Sequence, residues 1–130
     1  MKELIISVFM TVLLPFNGNH ANAQDFNNVD VVKTIDGDTI KVDLRGEKDL
    51  FGKNISIRFR GINTEELRSK SNRAYGAKEY VKYSIEKSSC VSLKNCTRGK
   101  YFRLVCDVYL DNVNLNQELL DNGLADKYDY

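Results

Sequence analysis

Apolar and polar positions along the chain follow two rhythms, one of period two and one of period 3.6. Val29 to Thr34 is apolar and β-branched and reads as a strand. Asp36-Gly37-Asp38 then makes a tight turn, with glycine supplying a permissive backbone. Thr39 to Leu44 alternates Ile40, Val42 and Leu44 with Lys41 and Asp43 and reads as the returning strand. Arg45 to Lys53 is a polar loop. Ile55 to Arg60 alternates again and gives a third strand ending near Gly61. After a charged loop, Thr64 to Arg73, a helix is expected over about Asn72 to Lys87, with Ala74, Ala77, Val81 and Ile85 on one face. Val91 to Leu93 and Phe102 to Leu110 read as two more strands around a Thr97-Arg98-Gly99 turn. A second helix is expected at Leu115 to Asn122, with Asn114 as N-cap, Gln117 at the capping-box position and Gly123 as its stop. Five short strands with a helix between the third and fourth suit a β-rich α+β architecture: a five-stranded Greek-key OB barrel with two main helices.

The first 23 residues carry a different pattern. Lys2 supplies a positive start, and Leu4 to Phe16 is apolar apart from Ser7, Thr11 and Pro15. Ala21-Asn22-Ala23 then forms a small-x-small cleavage signal. Residues 1–23 therefore read as a signal peptide, Gln24 as the mature N-terminus and residues 24–130 as one domain. The apolar run is short for a bilayer, which favours export without lasting membrane association over an uncleaved N-terminal anchor. A secreted or periplasmic bacterial product is expected.

Removing that leader changes the available chemistry. His20 and Pro15, the sole histidine and proline of the 130 residues, leave with it, and the chain has no tryptophan. A histidine triad or a histidine-ligated zinc is thereby excluded. The net charge of +1 does not announce a nucleic-acid binder, so any phosphate site has to be local. Cys90, Cys96 and Cys106 match neither a zinc knuckle nor a Cys-x-x-Cys motif. In an oxidising compartment Cys90 and Cys96 are the better candidates for a bridge, across a hairpin, with Cys106 a buried thiol in an apolar strand.

Two constellations carry candidate chemistry. Asp36 and Asp38 flank Gly37 and can fold two carboxylates toward one hard cation, although Asp-Gly is also ordinary turn chemistry. Asn63-Thr64-Glu65-Glu66 follows the third strand, where neighbouring strand ends can bring a second oxygen cluster to the same rim. Arg58 and Arg103 each sit within apolar surroundings, where a guanidinium needs an anionic partner. Two such forks would clamp one phosphate and offset charge in a transition state; the alternative for each is outward exposure or pairing with a structural carboxylate. Arg60 is expected on the face of Arg58 and has no independent role.

Four ordered blocks together resemble the staphylococcal (micrococcal) nuclease family. They are Thr34 to Val42, Ile57 to Glu66, Gly99 to Val105 and Leu115 to Ala125, and the likeness spans about residues 29 to 125. The resemblance implies an OB fold and calcium-dependent endonucleolytic hydrolysis of DNA and RNA with little sequence specificity. Single-stranded nucleic acid is the expected preference and a monomer the expected form. Asp38 looks like a direct carboxylate ligand of calcium, Asp36 a neighbour acting through water, and Thr64 a donor of its backbone carbonyl. Glu66 would sit near the attacking water, as general base or water positioner. Arg58 and Arg103 look like the phosphate clamp. Lys100, Tyr101 and, allowing a one-residue gap, Tyr128 resemble the terminal-phosphate pocket. The family has an aspartate, a direct calcium ligand, where this chain has Asn63, and a proline where it has Glu65. The Asn63 amide oxygen can coordinate but carries no charge, so a weakened calcium site is expected. The rival function is a catalytically weak OB-fold module that binds single-stranded nucleic acid without cutting it. Glu66 favours the enzyme, because a module that only bound would not need a carboxylate at that spacing.

Overall fold

The computed structural model describes residues 22–129; residues 1–21 of the signal-peptide reading over 1–23 lie outside the described residues, as does Tyr130. The apolar alternation builds a curled mixed sheet. Its five main strands are β2 (Asp30–Thr34), β3 (Thr39–Asp43), β4 (Ile55–Phe59), β6 (Val91–Arg98) and β7 (Leu104–Leu110). They lie in the order β6-β7-β4-β3-β2. Short strands extend this frame: β1 (Gln24–Phe26) pairs with β6 and β8 (Val113–Asn114) with β7, while β5 (Ile62–Asn63) and β9 (Asp126–Lys127) form a separate pair. The small additions bury too little apolar surface to show in the sequence rhythm. They place Asn63 opposite Asp126, and the Val29 amide donates to the Val91 carbonyl at 2.8 Å, which ties the start of β2 to β6. The result is the OB-like α+β fold expected from the strand rhythm.

Alternation decides what faces inward. Ile40, Val42, Ile57, Phe59, Leu93 and Val108 are fully enclosed, and α2 (Asn72–Lys87) adds Ala74, Ala77 and Val81. Helix α2 has the span its apolar spacing predicts. Ser71 caps it, its hydroxyl accepting from the Ala74 amide at 3.0 Å. Helix α3 (Leu115–Asp121) is capped as expected by Asn114, whose Oδ1 accepts from the Gln117 amide at 3.1 Å. Gln117 does not close a capping box; its side chain turns forward to Asp121 at 2.8 Å.

Three local expectations are corrected. The polar segment Arg45 to Lys53 contains one helical turn, α1 (Asp49–Gly52). Strand β6 runs on through Thr97 and Arg98, so the hairpin turn is Gly99 to Arg103, and Arg103 sits before β7 rather than inside it. The disulfide joins Cys96 to Cys106, leaving Cys90 free. The two bonded cysteines face each other across the adjacent strands β6 and β7, with Cα atoms 4.2 Å apart inside the core. Cys90 instead lies just before the start of β6, tied by its amide to Asp111 at 2.8 Å.

Candidate active site

The site begins at the turn between β2 and β3. The Asp38 amide donates to Asp36 Oδ1 at 3.0 Å, and the Ile35 amide donates to the Thr39 carbonyl at 3.0 Å. Gly37 is not needed for a left-handed backbone, since it is absent from the positive-φ glycines. Its role is close approach: a Cβ there would stand 2.6 Å from Ala77 Cβ and 2.7 Å from Thr64 Cγ2. The turn is thus pressed between α2 and the segment after β5.

Asp38 is buried, and both carboxylate oxygens are engaged. Oδ1 accepts from the Thr39 hydroxyl at 3.0 Å; Oδ2 accepts from the Thr64 amide at 3.0 Å and lies 3.4 Å from Arg58 Nη1. Arg58, also buried, donates from Nη1 to the Phe59 carbonyl at 3.1 Å and from Nη2 to Asn63 Oδ1. The carboxylate partner expected of a strand arginine is therefore Asp38. Burial, reinforced by the hydrogen bond and the negative charge of Asp38, pushes Asp36 up from 3.8 to about 6, with Arg58 opposing.

Asp36, Asp38, Arg58, Asn63 and Thr64 thus meet in one contact group. Glu66 does not join it in this conformation: its side chain is exposed and paired with Arg68. Glu65 is drawn to the start of α2, where it accepts from the Ser71 hydroxyl and faces Arg73 at 3.8 Å.

A second basic group lies where the β6–β7 hairpin enters β7. Strands β4 and β7 run parallel, with Ile57 beside Leu104 and Arg58 beside Val105, so Arg103 enters just ahead of them. A cavity of about 310 Å³ is lined by Arg60, Lys100, Arg103, Val105 and Tyr128, among others. Tyr128 is brought there by its amide, which donates to the Gly61 carbonyl at 2.9 Å. Arg103 Nε is buried and has no hydrogen-bond partner among the described residues. Tyr101 stands almost wholly in solvent at the hairpin tip.

Two positioning residues escaped the sequence reading. The Arg60 guanidinium donates to the Asn95 carbonyl at 2.7 Å, Thr97 Oγ1 at 2.8 Å and the Val105 carbonyl at 2.7 Å, stitching the end of β4 to β6 and β7. It therefore has a structural role apart from Arg58. Asn116, buried in α3, donates to the Arg60 carbonyl at 2.9 Å and accepts from the Val108 amide at 3.0 Å. An asparagine beside Leu115 on an otherwise apolar helix face was the available signal for it.

The donor chemistry fits a hard divalent cation. Two carboxylates, an amide oxygen and a threonine lie together, and among the described residues no nitrogen or sulfur ligand joins them. Thr64 Oγ1 is buried without a hydrogen-bond partner among the described residues, and burial together with the neighbouring Asp38 raises the Asp36 pKa. The set is weakly charged: among the described residues, no three His, Cys, Asp or Glu side chains converge as metal ligands.

An OB-like sheet, an aspartate-glycine-aspartate turn bonded to a strand arginine and a basic hairpin between β6 and β7 describe one class of protein. The chain belongs to the staphylococcal nuclease homologue family, which it matches over residues 56–130. It is similar to Endonuclease YncB of Bacillus subtilis (strain 168), with 32% identity over 111 residues, covering 80% of this chain and 49% of that protein. The chain thus spans about half the length of that relative.

Proposed function

We propose that the protein is a nuclease that hydrolyses phosphodiester bonds in DNA and RNA with little sequence specificity, uses calcium and prefers single strands. The observation that carries this reading is the Asp38–Arg58–Asn63 contact group, which sets a buried guanidinium beside an all-oxygen donor set. Family membership and the likeness to an endonuclease support it.

Asp36, Asp38, Asn63 and the Thr64 carbonyl would hold calcium, which when bound supplies a Lewis acid to the phosphoryl oxygens. The chain's own residues do the rest. Asp38 keeps Arg58 in place, and Arg58 and Arg103 offset the charge that develops on the phosphoryl oxygens. Lys100, Tyr101 and Tyr128 hold the neighbouring phosphate. Glu66 takes or orients the proton of the attacking water as its oxygen bonds to phosphorus and the P–O ester bond breaks. Its exposed pairing with Arg68 is weak enough to release it, since such pairs contribute about 0–1 kcal/mol. Export as a monomer accompanies this reading, and the Cys96–Cys106 bridge supports an oxidising compartment.

The second reading, a module that binds without cutting, draws on the outward turn of Glu66 and on the engagement of Asn63 by Arg58. Glu66→Gln separates the two. In an enzyme, cleavage of a single-stranded oligonucleotide falls by roughly a hundredfold or more while filter binding persists. Because Glu65 can substitute, the Glu65→Gln/Glu66→Gln double variant is measured alongside. Undiminished cleavage in the double variant would remove the carboxylate from the mechanism.

A further inference from the structure

Two parts of the surface that this chemistry does not use meet at one place. The turn α1 presents Leu50 and Phe51, 80% and 61% exposed, and the β6–β7 hairpin presents Phe102, 80% exposed. With Ile55 and Leu104 they line a cavity of about 170 Å³ whose rim carries Arg98 and Arg103. No acidic side chain is among its lining residues. Scattered apolar side chains on a surface are ordinary, but three that converge on one narrow slot beside two arginines are not.

The backbone of the hairpin makes the same point. The Arg103 amide donates to the Lys100 carbonyl at 3.1 Å, with Tyr101 and Phe102 between them at φ +58° and +59°. This is the turn that asparagine and glycine normally occupy. Two aromatic residues in left-handed conformations store strain, and such strain gathers where a side chain has to be presented.

We propose that Leu50, Phe51 and Phe102 form a slot for an unpaired nucleobase of the strand whose phosphate Arg103 holds. The inference rests on the nucleic-acid reading above. Arg103 lines both this slot and the cavity of Lys100 and Tyr128, so a strand held at Arg103 has an apolar pocket on one side and a basic one on the other. The occupant is a base because the slot is narrow, aromatic and rimmed by positive charge, which complements a flat ring attached to a phosphate. A base still paired in a duplex cannot enter.

The test uses Glu66→Gln protein with calcium, strand integrity being checked on a gel. Fluorescence anisotropy follows a labelled single-stranded oligonucleotide, the same oligonucleotide with an abasic position, and its duplex. Phe51→Ala and Phe102→Ala should each weaken single-strand binding about tenfold, the scale of one lost stacked ring, and leave duplex binding almost unchanged. The abasic strand should bind the parent protein as weakly as the intact strand binds the variants. Phe102→Gly removes ring and strain together; it should show the same loss with an equal or higher melting temperature, which separates lost stacking from lost fold. Unchanged single-strand affinity, an equal loss on duplex, or the conversion of a dimer to a monomer by these variants would overturn the slot while leaving nucleic-acid binding intact. A parent protein that binds neither strand nor duplex would overturn the slot together with the reading beneath it.

Discussion

Gly37→Ala tests the geometry on which the candidate site depends. The new methyl group would lie 2.6 Å from Ala77 Cβ and 2.7 Å from Thr64 Cγ2, well inside van der Waals contact. Neither neighbour can retreat easily. Ala77 lies on the buried face of α2 with Ala74 and Val81, and the Thr64 amide is bonded to Asp38. Overpacking of this kind costs about 1–3 kcal/mol, which in a domain of this size lowers the melting temperature by about 5–20 °C. The strain falls between Asp36 and Asp38, so calcium affinity should drop as well. Thermal melts and calcium titrations of Gly37→Ala, Ala77→Gly and the double variant measure both effects. Ala77→Gly alone costs about 1 kcal/mol of helix propensity, yet in the Gly37→Ala background it should restore part of the loss, a coupling of about 0.5–3 kcal/mol. If Gly37→Ala melts with the parent protein, or if the two changes simply add, the turn is not packed as described.

Three further outcomes follow from the same contact group. Asn63→Asp supplies a second carboxylate to Arg58 and a charged ligand to the donor set; calorimetry should show tighter calcium binding and digestion should need less calcium, and unchanged affinity would place residue 63 outside the cation site. Asp36 has its pKa raised to about 6 from 3.8, so its contribution to stability is fully present below about pH 4 and is lost as pH rises through 6. Melts in chelator should therefore show a fall in stability from pH 4 to 7 that Asp36→Asn flattens; an identical profile in the variant would refute the assignment. Arg58→Ala and Arg103→Ala should each cut turnover by orders of magnitude, but only Arg58→Ala should also destabilise, by about 1–3 kcal/mol, because it leaves the buried Asp38 without its guanidinium. Equal stability losses in the two would show that their surroundings are alike.

Much of the fold was legible because burial imposes a period. Ile40 and Val42 in β3, Ile57 and Phe59 in β4, and Ala74, Ala77 and Val81 in α2 all point inward as their spacing requires. What the sequence hid has no period. Strand β5 is two residues long, α1 is a single turn, and the extension of β6 through Thr97 and Arg98 is fixed by its pairing with Leu104 and Val105. The cysteine pairing depends on the same registration, since Cys96 and Cys106 meet across β6 and β7 while Cys90 lies beyond reach at the strand end. Gly37 was read as a source of backbone freedom, whereas the fold uses it for its lack of a side chain; only the packing of α2 distinguishes the two. The meeting of the aspartate turn with Asn63 and Thr64 likewise needed β5 to be placed. The outward turn of Glu66 toward Arg68 is a rotamer choice that no spacing encodes.

Calcium-assisted cutting of nucleic acid at this contact group is the proposal to be tested. Digestion of an end-labelled single-stranded oligonucleotide by the purified protein tests it most directly, with calcium in one arm and a strong chelator in the other. Cleavage without marked sequence preference is expected in calcium, and an intact strand in chelator. A strand that is bound but remains whole in calcium, or one that is cut equally well in chelator, would contradict it.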